Sequence, residues 1–110
     1  MWYSSRAFTR RLRQLAGTSA DEVLSRIQDE LLENPERGRL VQGGGGVRKA
    51  RTGNPGRQKG ARGGFRYFFL HVERRQHIHL LALLDKGEQD DLSQDERKAL
   101  KALVDEIKQA

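Results

Sequence analysis

The chain has 110 residues, which is room for one hydrophobic core, and we expect residues 1–110 to form a single domain. It contains no cysteine, which excludes disulfides and thiolate metal sites and is typical of a reducing cytoplasm. The longest apolar run, Leu80–Leu84, is far shorter than the roughly 20 residues that span a bilayer, and the first residues do not resemble a secretory signal. We therefore expect a soluble cytoplasmic protein.

The net charge of +6 is concentrated in the middle of the chain. Residues 37–72 contain nine basic and no acidic residues, whereas residues 1–36 contain five basic and six acidic ones, and residues 85–110 five basic and eight acidic ones. A basic block of this kind predicts a polyanionic partner, most often nucleic acid, because phosphates neutralised by a protein release bound counterions. The alternative is a solvated positive loop.

Two amphipathic helices are predicted in the first third of the chain. The first has apolar residues at helical spacing, namely Phe8, Leu12, Leu15 and Ala16. Gly17 offers a left-handed stop, and Ser19 with Glu22 predicts a capping box for the second helix. The second helix then continues with the apolar residues Val23, Leu24, Ile27 and Leu31 and ends before Asn34–Pro35. So short a connection predicts a helical hairpin that packs on a sheet.

Strand signals follow the helices. Gly43–Gly46 leads into a short predicted strand, Val47–Arg51, and the Gly-, Arg- and Lys-rich residues 52–64 predict a long mobile loop of the kind that carries function. The clearest signal is an antiparallel hairpin of Phe65–Val72 and His77–Leu84, joined by a four-residue turn.

Pairing Val72 with His77 predicts two largely apolar sheet faces. One face would contain Phe65, Tyr67, Phe69, Ile78, Leu80 and Leu84. The other would contain Arg66, Phe68, Leu70, Leu81 and Leu83. The helical hairpin can cover one face, and the second face needs a partner or a C-terminal helix. Such a helix is predicted by a capping box at Ser93 and Glu96 and by the apolar residues that follow it at helical spacing, Leu100, Leu103, Val104 and Ile107. The predicted fold class is α+β: a small antiparallel sheet packed by an N-terminal helical hairpin, with a C-terminal helix.

Cationic side chains are the candidates for chemistry. Arg66 lies within an apolar strand, where a guanidinium needs either a carboxylate such as Glu88 or an anionic ligand, and phosphate suits its planar donors. Cations from the preceding strand and the loop would surround it, namely Arg48, Lys49, Arg51, Arg57, Lys59 and Arg62. Lys86 and Glu88 follow the last strand and could transfer a proton, although the alternative is an ordinary charged turn.

A metal site is not expected. The predicted pairing places His71 on the face opposite His77 and His79, which disfavours a three-histidine site. The basic segment offers no cluster of aspartates for a two-metal nuclease, and Gly43–Gly46 lacks the Gly-Lys-Ser/Thr ending of a nucleotide-binding loop. We therefore predict no metal and no cofactor.

Three motifs, in their order along the chain, resemble those of the RelE/ParE toxins of bacterial toxin–antitoxin pairs. Their sequences are similar to those of the HigB-like group. They are Gly46–Arg51, Lys59 with Gly63–Tyr67, and Lys86–Ser93. The resemblance spans about residues 8–104. Two departures are Gly87, where an arginine often follows the lysine of the charged turn, and Ser93, near which RelE-type enzymes have a tyrosine.

The resemblance implies a metal-independent endoribonuclease that cleaves messenger RNA, usually on the translating ribosome, and that has a cognate antitoxin. The catalytic residues that it implies are Arg66 as phosphate clamp, and Lys59 and Lys86 for proton transfer or charge stabilisation. Arg57 or Arg62 is an alternative to Lys59. The residues implied to contact the RNA backbone are Arg48, Lys49, Arg51 and Arg57. ParE-like members act on DNA gyrase, so the alternative is a gyrase-inhibiting or non-catalytic nucleic-acid-binding protein.

Overall fold

The structure is a computed structural model that describes residues 1–53, 64–89 and 91–110. The strands of these parts are β1 (Trp2–Ser4), β2 (Arg39–Leu40), β3 (Arg48–Thr52), β4 (Phe65–Val72) and β5 (His77–Asp85). Their helices are α1 (Arg6–Ala16), α2 (Ala20–Glu33) and α3 (Gln94–Gln109). The strands form one sheet in the order β1-β5-β4-β3-β2, in which β1 runs parallel to β5 and the other pairs are antiparallel. The predicted α+β class is confirmed, with a parallel edge strand added.

The two N-terminal helices form as predicted, but one predicted cap does not. Ser5 caps α1 by accepting a hydrogen bond from the backbone N–H of Phe8 at 3.0 Å, and α1 ends at Gly17, whose φ is +52°. The capping box predicted at Ser19 and Glu22 is wrong, because Ser19 makes no side-chain cap bond. Its φ of −91° and ψ of 4° lie near the helical region, whereas a capping side chain needs an extended backbone to reach back to the helix.

A β-bulge in β5 reverses the predicted faces of two leucines. The predicted pairing of Val72 with His77 is confirmed, but the register shifts where Phe68 pairs with Ala82 and Phe69 with Leu80. Leu81 is the extra residue, and one extra residue exchanges the faces of everything that follows it. The predicted faces of Leu83 and Leu84 are therefore wrong: Leu83 packs with α1 and α2, and Leu84 packs with α3.

Helices cover both faces of the sheet. The core under α1 and α2 contains the buried strand residues Ala50, Phe65, Tyr67, Phe69, Leu80 and Leu83. The core under α3 contains the buried residues Val47, Phe68, Leu70, Leu81, Leu84, Leu92, Leu100 and Val104. The capping box of α3 is confirmed: Ser93 Oγ accepts from the N–H of Glu96 at 3.2 Å, and the Glu96 carboxylate accepts from the N–H of Ser93 at 2.8 Å. None of the helices in the described parts has the length and apolar character needed to cross a bilayer.

An aromatic cluster fastens β1 to β5. The ring of Tyr3 stacks on His79 with centroids 4.9 Å apart and meets His77 edge-on at the same separation. His71 pairs with Ile78 and so lies on the other face, as predicted. Within residues 1–53, 64–89 and 91–110, no three histidine, cysteine or acidic side chains are grouped as metal ligands.

Because His79 belongs to this aromatic cluster, we expect the folded protein to lose stability at mildly acidic pH. Burial, followed by the charges of His77 and Arg75, lowers the pKa of His79, so the folded protein favours the neutral ring. The unfolded chain binds a proton as the pH falls through about 6.5, which shifts the equilibrium toward unfolding. We expect the melting temperature to fall between about pH 7.5 and 5.5. His79→Phe, which keeps a ring against Tyr3, should make that fall smaller, as measured by circular dichroism. His71→Phe is the control, and an equal change in both variants would contradict the assignment.

Candidate functional site

The sheet register brings three cationic residues onto one face. Lys49 and Arg51 are alternate residues of β3, and Arg66 of β4 is the direct cross-strand partner of Arg51. Alternate residues of a strand, and residues paired across strands, point to the same face. Like charges placed directly opposite each other destabilise a sheet by a few tenths of a kcal/mol. The pairing of Arg51 with Arg66 is therefore typical of a site for an anion.

A segment that the sequence analysis did not single out completes the group. We call residues 37–39 the strap. Arg39 is the cross-strand partner of Lys49, which places it on the same face. Arg37 donates a hydrogen bond to the carbonyl oxygen of Arg51 at 3.2 Å. The basic block begins at Arg37, and that signal could have identified both arginines, but a two-residue strand has no alternation that a sequence pattern can reveal.

The strap and two strands enclose a groove of about 410 Å³, which we call the cationic groove. Its lining residues are Arg37, Gly38, Arg39, Lys49, Ala50, Arg51 and Arg66. Five of these seven carry a positive charge and none carries a negative one, so the groove has a positive potential that favours anions. Guanidinium groups match the geometry of carboxylate and phosphate oxygens, so the lining suits an anion of either kind.

Gly38 allows the strap to lie directly against β3. Its φ is +79°, a backbone conformation that side chains disfavour. A Cβ atom at this position would overlap the backbone carbonyl of Lys49. Gly38 therefore fixes how closely Arg37 and Arg39 approach the cations of β3.

We expect Gly38→Ala to destabilise the protein more than Gly43→Ala does. Gly43 also has a positive φ, of +71°, but a Cβ there would meet no atom within 4 Å. The strain of a left-handed residue alone costs about 1–2 kcal/mol. Gly38→Ala adds to it the displacement of the strap from Lys49. Urea unfolding of both variants measures the difference, and equal losses would show that the strap does not depend on this close approach.

Glu30 of α2 connects the strap to the buried sheet. Its carboxylate accepts hydrogen bonds from Thr52 Oγ1 at 3.0 Å and Tyr67 Oη at 2.9 Å, and it lies 3.5 Å from the guanidinium of Arg37. Burial, and then the charge of Glu30, raise the pKa of Tyr67, so its hydroxyl remains a donor. Glu30 could not be recognised in the sequence, because an acidic residue on an amphipathic helix ordinarily faces solvent.

Lys49 is partly neutralised on the side of α3. Its Nζ lies 3.6 Å from the carboxylate of Asp91, which also accepts a hydrogen bond from Arg97 at 3.0 Å. Partial burial raises the pKa of Asp91, but the hydrogen bond from the N–H of Leu92 and the charges of Lys49 and Arg97 outweigh it and hold the pKa below its usual value. Asp91 therefore stays charged at neutral pH and places a negative charge beside Lys49, one of the residues that line the cationic groove.

The structure separates one predicted cation from the others. Arg48 alternates with Lys49 and Arg51 along β3, so it lies on the face of Ala50, toward α1 and α2. It does not line the cationic groove. The cations predicted to surround Arg66 therefore divide here: Lys49 and Arg51 lie on its face of the sheet, and Arg48 does not.

Lys86 lies at the end of the sheet beside the start of β4. Its backbone N–H donates to the carbonyl of Gly64 at 3.2 Å, two residues before Arg66, and it is not among the residues that line the groove. Asp85 is buried and accepts a hydrogen bond from the N–H of Gly87 at 2.8 Å, which holds the turn that carries Lys86. The other predicted site residues, Arg57, Lys59 and Arg62, lie outside the described residues.

No protein-family model matches the sequence. The fold is similar to solved structures of an E. coli toxin. A chain of the intact E. coli RelBE toxin–antitoxin complex is 16% identical, with a TM-score of 0.55 over 77% of this chain and 94% of that one. A double mutant of E. coli RelE in the free state is 16% identical, with a TM-score of 0.56 over 82% of this chain and 86% of that one. Isolated E. coli RelE is 15% identical, with a TM-score of 0.52 over 94% and 97%.

Proposed function

We propose that this protein is a toxin of the RelE/ParE superfamily, of the HigB-like group, and that it is a metal-independent endoribonuclease acting on messenger RNA. The observation that carries the proposal is the cationic groove, in which Arg51 and Arg66 lie side by side on neighbouring strands. The similarity of the fold to RelE structures supports it, as does the order of the three sequence motifs.

In the proposed reaction the RNA supplies its own nucleophile. The 2′-hydroxyl loses its proton and its oxygen attacks the adjacent phosphorus, the bond from phosphorus to the 5′ oxygen breaks, and that oxygen gains a proton. The products are a 2′,3′-cyclic phosphate and a 5′-hydroxyl. Negative charge grows on the non-bridging oxygens, where the guanidinium groups of Arg66 and Arg51 donate hydrogen bonds. Holding the phosphate in a fixed position also aligns the 2′-oxygen for in-line attack.

Proton transfer is assigned to lysines. A lysine among other cations is suited to it, because neighbouring positive charges favour its neutral form. We assign this role first to Lys59, which the sequence places among the cations of the basic block, with Arg57 or Arg62 as the alternatives to it. Lys86, whose turn adjoins the start of β4 and lies outside the lining of the cationic groove, is assigned the same role as a second lysine. Arg57 is assigned a contact with the RNA backbone, as is Lys49.

A protein antitoxin is the proposed partner. One of the matched structures is that of a toxin–antitoxin complex. An acidic segment of the antitoxin would complement the cationic groove and block access to it. We place the protein in the cytoplasm, where messenger RNA and the translating ribosome are available to it.

The test is brief expression of the protein in bacteria followed by mapping of new 5′ ends on messenger RNA. Cut sites in the coding region that keep a constant position relative to the reading frame are the expected result for cleavage on the ribosome. Arg66→Ala should produce none, whereas Arg74→Ala, at the far end of the β4–β5 hairpin, should cut like the parent protein. Intact messages together with inhibited DNA supercoiling would instead support a ParE-like action on gyrase.

A further inference from the structure

The cationic side chains form a line across three strands. Arg39 lies opposite Lys49, Arg51 follows Lys49 by two residues, and Arg66 lies opposite Arg51. With strands about 4.8 Å apart and a rise of about 3.4 Å per residue, the Cα atoms of Arg39 and Arg66 are roughly 12 Å apart. This spread exceeds the size of a single phosphate group, and side chains along it can reach two successive phosphates. The line is therefore long enough to follow a nucleic-acid backbone.

We propose that Arg39, with Lys49 opposite it, forms a second phosphate subsite for an extended single strand of RNA whose scissile phosphate lies at Arg51 and Arg66. This inference rests on the proposed function and adds to it the form of the substrate. A cavity of some hundreds of Å³ is the size that holds a drug-sized ligand. At about 410 Å³ the cationic groove has room for a short stretch of a single strand.

Arg37 and Arg39 have different parts in this subsite. Arg37 is held by Glu30 and by the carbonyl of Arg51, so it fixes the strap in place. Arg39 is exposed, and no carboxylate among the described residues forms a salt bridge with it. Arg39 is therefore the member of the strap that contacts the phosphate, and Arg37 is a positioning residue.

The experiment compares Arg39→Gln with Arg74→Gln, an exposed arginine at the opposite end of the sheet that loses the same charge. The probes are two fluorescent 2′-O-methyl oligonucleotides, which cannot be cleaved: a dinucleotide with one phosphate and a tetranucleotide with three. Binding is followed by fluorescence anisotropy at several salt concentrations. Each phosphate contact on a single strand contributes about 0.7 to the slope of log affinity against log salt.

We expect Arg39→Gln to weaken tetranucleotide binding about 5- to 10-fold and to lower the salt slope by about 0.7, while the dinucleotide binds as it does to the parent protein. Arg74→Gln should change neither. Equal behaviour of the two variants would overturn the second subsite and leave the ribonuclease proposal standing. A loss that is the same for both probes would also overturn it, because Arg39 would then act at the first phosphate.

Two further outcomes separate this inference from the proposed function. If the parent protein binds neither probe, the groove does not take free single-stranded RNA and the second subsite fails, while the mapping of cut sites on messenger RNA still decides the ribonuclease proposal. If the length-dependent loss is seen but no message is ever cut, the subsite stands and the ribonuclease proposal fails.

Discussion

Arg66→Ala is expected to lower the rate of RNA cleavage by about two to three orders of magnitude, the usual loss when a group that stabilises developing charge is removed. Arg66→Lys should recover little of it, because an ammonium group cannot donate two parallel hydrogen bonds to one phosphate. The measurement is the single-turnover rate on a message with a mapped cut site.

The control for this prediction is the stability of the same variant. Arg66 lies opposite Arg51, and removal of one of two opposed like charges relieves a repulsion that offsets part of what Arg66 contributes through its own contacts. We expect the free energy of unfolding of Arg66→Ala to stay within about 1 kcal/mol of the parent value. A folded variant that cleaves at nearly the parent rate would show that Arg66 is not the phosphate clamp.

Glu30→Ala is expected to reduce the free energy of unfolding by about 2–4 kcal/mol, since two buried hydroxyl groups lose their acceptor at once. Tyr67 is fully buried and Thr52 is 2% exposed, so water reaches their hydroxyl groups only through the gap that the lost side chain leaves. The strap would also lose the ion pair that holds Arg37. Urea unfolding gives the first effect, and oligonucleotide affinity gives the second.

Two matched variants locate the cause of this loss. Glu30→Gln keeps one acceptor oxygen and should lose about half as much stability as Glu30→Ala. Glu33→Ala removes an exposed carboxylate from the same helix and should stay within about 0.5 kcal/mol of the parent protein. If Glu33→Ala costs as much as Glu30→Ala, the effect belongs to the helix and not to the buried network.

The elements that could be predicted from the sequence are those whose periodicity extends over many residues. The bounds of β4 were predicted in full, and α3 was predicted from its capping box and its apolar stripe. The short strands β1 and β2 were not predicted, because two or three residues show no period and depend on partners elsewhere in the chain. The bulge at Leu81 was hidden for a different reason: residues 80–84 are all apolar, so their alternation does not reveal which face each one occupies.

The same distinction applies to the site. Arg66 could be identified because an arginine within an apolar strand is unusual, and its position relative to Arg51 then follows from the strand register. Arg39 belongs to the basic block and could have been singled out by its charge, but its two-residue strand has no alternation that would place it opposite Lys49. Glu30 could not be identified, because an acid on a helix is an ordinary surface residue until tertiary contacts place it. The roles of Arg57, Lys59 and Arg62 stay predictions from the resemblance.

In the proposed reaction the cationic groove makes the 2′-hydroxyl of RNA attack its own phosphodiester. The direct measurement is cleavage of two messages that differ by a single 2′-deoxy substitution at a mapped cut site, presented on ribosomes if mapping shows that they are required. We expect the all-ribose message to yield a 2′,3′-cyclic phosphate and a 5′-hydroxyl, and the substituted message to remain intact at that site. Equal cleavage of both messages, with 5′-phosphate ends, would contradict the account.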